Sequence, residues 1–417
     1  MKILLINTSE RSGGAAVAAN RLMIALQKAG HTVNMLVRDK QTDNPDVVTV
    51  NGSVWKKWNN GFGFLWERLI IFLCNKLSSK NLFQVSIANT GTDISKHPLV
   101  KKADIIHLHW INQGLLSLSD LKALINTGKP IVWTMHDLWP ATGICHYPGK
   151  CERYQIECNA CPKLVNKPLW NLAGKVFNKK KEIGLSAITF VGCSEWITRR
   201  AQLSRLLQKS EFLSIPNPID TDIFSPVSKV EARLALGLPV DKYLLLFAAA
   251  KLSDNRKGAT YFIKACRLLG EEYAGQIEIL LMGNGSEEFL RALPFPVNKL
   301  GYISDQTKMR DVYASADIFV IPSLEDNLPN TIMEAMACGT PCVGFETGGI
   351  PEMIDHKKNG YVANYKDAKD LSRGLQWVLS NSETNELSIS CLEKVKTHYN
   401  ESKVAAAYFE LYTKLLK

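Results

Sequence analysis

The sequence predicts an α/β protein built from two doubly wound parallel sheets. Short apolar runs alternate with amphipathic segments along almost the whole chain, a pattern typical of βαβ units. The alternation occurs in two series, which Pro216-Asn217-Pro218 separates. The length of 417 residues suits two or three domains at about 150 residues each. We therefore expect one domain over 1–216 and a second over 217–399.

The expected elements follow in chain order. In the first half the strands are 2–7, 32–37, 103–108, 130–135, 187–192 and 211–215, with helices at about 14–29, 117–127, 168–183 and 195–208. In the second half the strands are 243–248, 276–282, 317–321 and 341–344, with helices near 257–271, 305–315, 330–338 and 367–380. The strand runs are continuously apolar because helices cover both faces of a parallel sheet. A last amphipathic helix is expected at about 401–416.

The net charge of +10 is distributed unevenly. Residues 1–216 carry 28 Lys and Arg against 14 Asp and Glu, whereas residues 217–417 carry 22 against 26. This asymmetry indicates an anionic partner for the first half, namely nucleic acid, a membrane surface or a phosphorylated substrate, or else an incidental surface bias. Because no nucleic-acid-binding motif is present, we exclude nucleic acid.

One stretch suits contact with a membrane surface without spanning it. Residues 55–80 mix Trp and Phe with Lys and Arg, and Lys179-Lys180-Lys181 adds to the positive field of the same half. Such a stretch fits either an interfacial contact or a helix packed on its own domain. No apolar run reaches the roughly 18 residues that span a bilayer, and the first residues, MKILLIN, carry no cleavage site of small residues. The expected location is cytoplasmic, with peripheral contact at the inner membrane face as one possibility.

An acidic segment gives the strongest chemical signal. Residues 322–352, PSLEDNLPNTIMEAMACGTPCVGFETGGIPE, contain a strand end, an acidic loop and a helix that begins near Asn330. The helix start offers N–H groups to a phosphate or to sugar hydroxyls. Glu334 suits the vicinal hydroxyls of a ribose, and Asp326, eight positions earlier, suits a second sugar. The alternative is that both acids only favour the helix start.

Two lysines follow a predicted strand in FAAAKLSDNRKGATYF. Lys251 ends the strand, and Lys257 with Gly258 opens the next helix. Two cations over a pyrophosphate stabilise the charge that grows on a leaving diphosphate. The alternative is a solvated surface pair, and Arg256 is able to replace either lysine. No Asp-x-Asp pair stands beside a predicted strand, so we expect no requirement for a catalytic metal.

Glycines and histidines mark strand ends in the first half. Gly13 and Gly14 follow the first strand and let the backbone approach a phosphate or an acceptor closely, unless they only form a turn. Their spacing is not Gly-x-Gly-x-x-Gly, which disfavours a dinucleotide dehydrogenase. His107 and His109 alternate at a strand end and are expected to point to opposite faces. His136 ends the next strand.

Four cysteines form a cluster in CHYPGKCERYQIECNAC. Cys145, Cys151, Cys158 and Cys161 end in a Cys-x-x-Cys pair, which is a common half of a tetrahedral zinc site, and His146 is adjacent. Disulfides are disfavoured in a cytosolic protein. A structural zinc is the favoured interpretation, and free thiols or a redox pair are the alternatives.

The acidic segment resembles the Glu-x7-Glu motif of the large retaining glycosyltransferase family 4, which has the GT-B fold of two Rossmann-like domains facing across a cleft. The resemblance covers nearly the whole chain: NTSERSGGAAVAANRL, DIIHLHW, VWTMHDLW, SIPNPIDTDIFSP and LGYISDQTKMRDVYASADIFVIPS are similar to further family segments. Lys251 stands where the family has Arg, in a loop that is one residue longer. The motif places its two acids eight positions apart, and Asp326 has this spacing from Glu334 whereas Glu325 is one residue further away. We therefore assign the donor-sugar contact to Asp326, with Glu325 as the alternative.

The resemblance implies roles for these residues. Lys251 and Lys257 would hold the diphosphate, Glu334 the ribose, and the backbone near Tyr302 the base. His136, with His109 second, would face the transferred sugar on the acceptor side. The wider donor set comprises Gly13, Gly14, Lys251, Lys257, Tyr302, Glu325, Asp326, Leu328, Asn330, Thr331 and Glu334. A C-terminal helix at about 400–417 would cross back onto the N-terminal domain.

The predicted function is retaining transfer of a hexose-type sugar from a nucleoside-diphosphate sugar to a saccharide, with a lipid-linked polysaccharide as the expected acceptor. No cofactor besides this co-substrate is expected for catalysis. The resemblance implies front-face attack with retention, in which the departing phosphate oxygen helps to deprotonate the acceptor. Two alternatives remain at this point. One is a GT-B-shaped sugar-nucleotide epimerase, and the other is a non-catalytic nucleotide-sugar binding protein.

Overall fold

The computed structural model describes residues 1–52, 54–164, 171–251, 254–382 and 384–417. The chain divides into two compact units. Unit 1 contains Met1–Pro216 and Val404–Lys417, and unit 2 contains Asn217–Lys403. The start of the helix expected at 168–183 lies outside the described residues.

Unit 1 is built on a parallel sheet, seven-stranded in the described residues, with strand order β3-β2-β1-β4-β5-β6-β7. The strands are β1 Lys2–Ser9, β2 Thr32–Asp39, β3 Val47–Thr49, β4 Ile105–Leu108, β5 Ile131–Met135, β6 Ile188–Gly192 and β7 Glu211–Ser214. The first strand lies inside the sheet, and the chain winds outward from it in both directions. This order confirms the doubly wound sheet expected for the first half.

The helices of unit 1 cover both faces of this sheet. They are α1 Gly14–Lys28, α2 Val54–Cys74, α3 Pro98–Lys102, α4 Leu118–Ile125, α5 Leu172–Lys181 and α6 Glu195–Gln202. One face packs against α1 and against the C-terminal segment from Val404 to Tyr412, and the other packs against the helices and loops that follow β3, β4 and β5. Burial on both faces explains why the strands are continuously apolar.

Unit 2 repeats the scheme with a parallel sheet of order β10-β9-β8-β11-β12-β13. The strands are β8 Tyr243–Lys251, β9 Ile277–Asn284, β10 Val297–Gly301, β11 Ile318–Ile321, β12 Cys342–Phe345 and β13 Gly360–Ala363. The helices are α7 Lys229–Leu236, α8 Ala259–Leu269, α9 Glu287–Ala292, α10 Gln306–Ser315, α11 Asn330–Ala337, α12 Ile350–Met353, α13 Ala368–Ser380 and α14 Glu386–Lys394, and α15 Glu401–Leu415 follows. The second doubly wound sheet is thereby confirmed.

Several elements differ from the expectation. Strands β3, β10 and β13 were not expected, and neither were helices α3, α7, α9, α12 and α14. The helix expected at 195–208 ends at Gln202, since Leu203 caps it and turns follow. Among the described residues, no helix combines the length and the apolar character needed to cross a bilayer.

Candidate functional site

The loops that follow β8 and β11 are fastened together in unit 2. The backbone N–H of Leu324 donates to the carbonyl of Arg256 at 2.6 Å. Gly258 has φ +69°, and a Cβ there would stand 1.8 Å from the carbonyl oxygen of Pro322. Only glycine permits this close approach. The two loops from which the sequence predicts diphosphate and sugar contacts are therefore held side by side.

Lys257 and Asp326 form an ion pair across these loops. The Lys257 Nζ lies 2.8 Å from Asp326 Oδ2, which also accepts from Ser323 Oγ at 3.2 Å. The lysine side chain is 36% exposed and the carboxylate 16%, so a ligand has access to the cation. Glu325, one residue earlier, is half-buried and forms no ion pair within the described residues. The structure thus brings together a cation and an acid that the sequence assigns to one donor.

Glu334 lies in the first turns of α11 and is only 3% exposed. Its Oε2 accepts a hydrogen bond from the Tyr313 hydroxyl at 2.8 Å. Tyr313 is a fully buried residue of α10, and nothing in the sequence singled it out. Nearby, the Asn217 side chain donates to Asn330 Oδ1 at 3.1 Å. The carboxylate expected to hold a ribose is therefore oriented from a neighbouring helix.

The other donor candidates lie in varied surroundings. Lys251 ends β8, but its side chain lies outside the described part of the chain. Tyr302 is 75% exposed after β10, whereas Leu328 is buried and Thr331 half-buried. Arg256, offered as a substitute cation, instead lies 2.7 Å from the carboxylate of Asp254.

That pairing has an electrostatic effect on Asp254. Burial opposes ionisation of this carboxyl, but the hydrogen bonds from the Arg256 side chain and backbone outweigh burial and lower its pKa. Asp254 therefore stays ionised, and Arg256 is held by it as a charged partner.

In unit 1 the first loop ends in the two glycines. Gly13 has φ +95° and precedes α1, whose first residue is Gly14. A Cβ at Gly13 would meet nothing within 4 Å, so its backbone is open to a ligand. The same loop is anchored by buried Glu10, whose carboxylate accepts from the backbone N–H of Gln41 at 2.6 Å and of Thr42 at 2.9 Å.

The expectation that His107 and His109 point to opposite faces is wrong. Their ring centroids lie 4.3 Å apart, because residues i and i+2 of a strand share a face. His107 is fully buried. Its Nδ1 lies 2.7 Å from the Tyr412 hydroxyl and its Nε2 2.8 Å from Thr134 Oγ1. Both ring nitrogens are therefore engaged, Nδ1 with the C-terminal helix and Nε2 with β5, which gives His107 a structural role.

His109 and His136 form the pair that carries chemical interest. His109 Nδ1 lies 3.0 Å from His136 Nε2, and the rings stack with centroids 5.3 Å apart. Burial lowers the pKa of His136 to about 4 and that of His109 well below its usual range. Buried His109 Nε2 and Asn112 Nδ2 have no hydrogen-bond partner among the described residues. Two polar atoms are thus available to a ligand beside a neutral histidine pair.

A buried carboxylate that the sequence did not single out lies next to His136. Asp137 Oδ2 accepts from Trp110 Nε1 at 2.9 Å and lies 2.7 Å from His146 Nδ1, while Oδ1 accepts from the Trp139 backbone at 2.8 Å. Burial raises the pKa of Asp137, but the charge and hydrogen bond of His146 outweigh it and lower the pKa. This network fixes the segment that carries His136.

The four clustered cysteines line a single cavity of unit 1, together with Tyr154, Arg153 and Lys163. All four are free thiols. Burial raises the pKa of Cys145 and raises that of Cys158 to about 11. His146 is engaged with Asp137 instead.

Lys180 is not a surface cation, contrary to the expectation for Lys179-Lys180-Lys181. It is 1% exposed, and its Nζ donates to the carbonyls of Trp139 and Thr142 at 2.6 and 3.0 Å. The helix turns this side chain inward while Lys179 and Lys181 face solvent. Only those two neighbours add to the surface field.

Three acidic side chains of the described residues lie close enough together to contact one cation. Ligand atoms of Asp220, Asp222 and Glu401 all lie within 4.8 Å of one another. They are near the start of unit 2 in sequence and at the start of α15. Asp220 Oδ1 also accepts from the backbone N–H of Asp222 at 2.9 Å and of Ile223 at 3.2 Å, so this carboxylate is engaged in a local turn.

Two family models match the chain. The model described as Glycosyltransferase Family 4 matches residues 12–223, slightly more than half of the chain. The model described as Glycosyl transferases group 1 matches residues 242–381. The first match therefore falls in unit 1 and the start of unit 2, and the second falls within unit 2.

Curated relatives match over part of their length. AmsK of Erwinia amylovora, an amylovoran biosynthesis glycosyltransferase, is 32% identical over 173 residues, or 38% of this chain and 42% of AmsK. WcaC of Escherichia coli K12, a putative colanic acid biosynthesis glycosyl transferase, is 25% identical over 293 residues, or 66% of each chain. The matches with the first four relatives span between 37% and 51% of each relative's length.

Solved structures match over nearly the whole chain. Sucrose-phosphate synthase from Thermosynechococcus elongatus has a TM-score of 0.69 at 19% identity, over 100% of this chain and 99% of the synthase. HepE from Anabaena in complex with UDP-glucose has a TM-score of 0.61 at 16% identity, over 99% of this chain and 100% of HepE. At such identities the likeness shows the fold alone.

Proposed function

This chain belongs to glycosyltransferase family 4, and on that premise we propose that it transfers a hexose-type sugar from a nucleoside-diphosphate sugar to a saccharide in polysaccharide biosynthesis. Its fold is GT-B. The names of AmsK and WcaC support a role in polysaccharide assembly, and the UDP-glucose complex of HepE supports a nucleotide-sugar donor. Family membership favours transfer over the epimerase alternative.

The ion pair of Lys257 and Asp326 carries the donor assignment. Lys257, with Lys251, would neutralise the diphosphate, and Asp326 would accept hydrogen bonds from the transferred sugar. Glu334, oriented by Tyr313, would accept from the ribose hydroxyls. The start of α11 at Asn330 supplies N–H groups and a positive dipole end that favour an anionic ligand.

The proposed reaction retains the anomeric configuration by front-face attack. The bond between the anomeric carbon and the diphosphate oxygen breaks, the acceptor oxygen forms the new bond, and the acceptor proton passes to the departing phosphate oxygen. Lys257 stabilises the charge left on the diphosphate. His109 and His136 remain neutral at neutral pH because burial lowers the pKa of both. They would therefore orient sugar hydroxyls by hydrogen bonds and not act as charged acids.

We propose that the acceptor is lipid-linked and lies at an anionic membrane surface. The exposed face of α2 supports this proposal. Six large apolar side chains of this helix are between 43% and 63% exposed. They are Trp58, Phe62, Leu65, Trp66, Leu69 and Leu73. Their spacing places them along one side of the helix. A contiguous exposed apolar stripe on the strongly basic half of the chain suits an interfacial helix.

A donor panel tests the proposed reaction. UDP-, GDP- and ADP-sugars are screened by thermal shift. The release of nucleotide then measures donor hydrolysis and sugar transfer to a lipid-linked acceptor. A donor of one base class should raise Tm by mass action. No shift and no release with any donor would overturn the assignment. Conversion of the donor without an acceptor, detected by NMR, would favour the epimerase instead. Transfer that persists in EDTA would agree with a metal-independent step.

Asp326→Asn separates the two roles of the ion pair. The variant should lose at least about 10-fold in kcat/KM through the sugar contact. It should also bind the free nucleoside diphosphate about 2–5-fold more tightly, because Lys257 no longer has an anionic partner in a half-exposed pair. Glu325→Gln is the matched control and should leave both values near those of the wild type. The reverse outcome would move the sugar contact to Glu325.

Vesicle co-sedimentation tests the membrane contact. The chain should bind vesicles with anionic lipid better than neutral ones, and Phe62→Ser with Trp66→Ser should reduce binding about 10-fold or more by removing apolar burial. Leu234→Ser is the control, because Leu234 is 66% exposed in unit 2. Equal binding by both variants, or none by the wild type, would exclude α2 as a membrane contact.

A further inference from the structure

The clustered cysteines lie in a long connection with little regular structure. Between Thr142 and Leu164 the described chain contains a 3-10 turn at Arg153–Gln155, an isolated bridge between Cys145 and Val85, and otherwise turns, bends and irregular backbone. Such a connection has little regular structure to hold it. Cys145, Cys151, Cys158 and Cys161 line one cavity of this segment, which makes them candidates for a cross-link.

The backbone beside the cavity donates to one of these sulphurs. The N–H of Gly143 donates to Cys158 Sγ at 3.2 Å, whereas the N–H of Leu164 donates to the carbonyl of Cys161 at 3.1 Å. An N–H group that donates to sulphur supports a ligating cysteine as an outer-shell hydrogen bond does. Ala160, with φ +48°, lies in the Cys-x-x-Cys segment and turns the chain there.

A buried lysine holds the chain that leads into the cysteine segment. Lys180 of α5 is 1% exposed, and its Nζ donates to the carbonyls of Trp139 and Thr142 at 2.6 and 3.0 Å. The backbone directly before Cys145 is therefore fixed to α5, which positions one wall of the cavity.

We propose that Cys145, Cys151, Cys158 and Cys161 bind one structural zinc ion as four thiolates. Binding releases the four thiol protons to solvent and involves no change in oxidation state. No three of the sulphurs lie within 4.8 Å of one another, so zinc binding would require the cysteine side chains to turn toward the ion. The zinc would cross-link the segment between Thr142 and Leu164 and hold the buried Tyr154 in place.

Metal analysis of the full-length chain tests this site, without reference to transferase activity. The protein is purified without chelators from zinc-supplemented cells, and it should contain about one zinc per chain. Replacement by Co²⁺ should give the intense visible bands of a tetrahedral site and thiolate-to-metal charge-transfer bands. Cys158→Ser with Cys161→Ser should lose both. Cys74→Ser is the control, since Cys74 is half-buried in α2 and does not line the cavity.

Three results would overturn the proposal. The first is less than about 0.2 zinc per chain together with no charge-transfer band after cobalt addition. The second is a thiol titration under denaturing conditions that finds all four cysteines oxidised, and the third is full zinc content in the double variant. Should the double variant not fold, the wild type still decides. Mercurial displacement of the thiolates should release the zinc stoichiometrically and open the segment to trypsin at exposed Arg153. Zinc retained after the thiols are blocked would refute thiolate ligation.

Discussion

The buried histidines of unit 1 should make its stability strongly dependent on pH. His107 and His109 are at most 3% exposed. Burial lowers the pKa of His107 from 6.5 to about 3 and that of His109 well below 6.5. The folded state therefore keeps both rings neutral under mild acid, whereas the unfolded chain takes up protons below about pH 6.5. Because the unfolded state binds more protons, stability falls as the pH falls through this window.

The magnitude follows from the pKa difference. One pKa unit corresponds to about 1.4 kcal/mol, so each fully buried histidine contributes about that much per pH unit below about pH 6. Between pH 6.5 and 5 the loss is about 1.6 kcal/mol for each ring and about 3 kcal/mol for His107 and His109 together. This is a large part of the 5–15 kcal/mol typical of a domain.

Urea unfolding at several pH values measures this loss. Eight of the nine tryptophans precede residue 217, so Trp fluorescence reports mainly on unit 1. His107→Gln should flatten the dependence by about 1.4 kcal/mol per pH unit, since glutamine does not titrate. His398→Gln, at an exposed position of unit 2, is the control and should keep the wild-type slope. Unchanged stability between pH 7 and 5, or an unchanged slope in His107→Gln, would refute the reasoning.

Three further outcomes are expected. Tyr313→Phe removes the 2.8 Å hydrogen bond to Glu334 and should raise the donor KM about 5-fold, as the loss of about 1 kcal/mol implies; steady-state kinetics would contradict this if KM stayed constant. Gly258 has φ +69°, and a Cβ there would lie 1.8 Å from the carbonyl oxygen of Pro322. Gly258→Ala should therefore lower the free energy of unfolding by about 3 kcal/mol or more. Gly237→Ala, at φ +66° with nothing within 4 Å, should lose only about 1 kcal/mol, and equal Tm values for the two would disprove the clash. Lys180→Met leaves the buried Thr142 carbonyl without its donor and the Trp139 carbonyl with only the Thr142 N–H at 3.3 Å, so it should cost about 1–3 kcal/mol, which urea titration would detect.

The central strands were predictable from sequence because both of their faces are buried. The run at β8, Tyr243–Lys251, is continuously apolar for this reason. The three strands that were not expected, β3, β10 and β13, all lie at the edge of a sheet. Edge strands are often short and partly exposed, as the pattern of half-buried residues in β10 illustrates, and such segments resemble loops in sequence. The remaining edge strand, β7, was nevertheless predicted, at 211–215.

The candidate site was predictable where loops share a sheet edge, and not where side chains meet across elements. The sequence placed Lys257 and Asp326 in one site, and they lie 2.8 Å apart. It did not indicate Tyr313, because a tyrosine 21 residues before Glu334 in another helix carries no spacing signal. It also misjudged His107, whose side chain shares a face with His109 and whose contacts come from a helix 305 residues later.

The uneven charge of the chain is best understood as two different kinds of electrostatics. The proposed donor is anionic, yet it is assigned to unit 2, and residues 217–417 carry 26 Asp and Glu against 22 Lys and Arg. A general positive field is therefore not what would attract it there. Lys257 is held by Asp326 and Arg256 by Asp254, at 2.8 and 2.7 Å, so the carboxylates fix the cations in position for a ligand of matching shape. In unit 1 the excess of cations accompanies an exposed apolar helix face, and a diffuse field suits a surface that has charge but no fixed shape. Short-range pairing would thus select the donor, while long-range attraction would bring the chain to its acceptor.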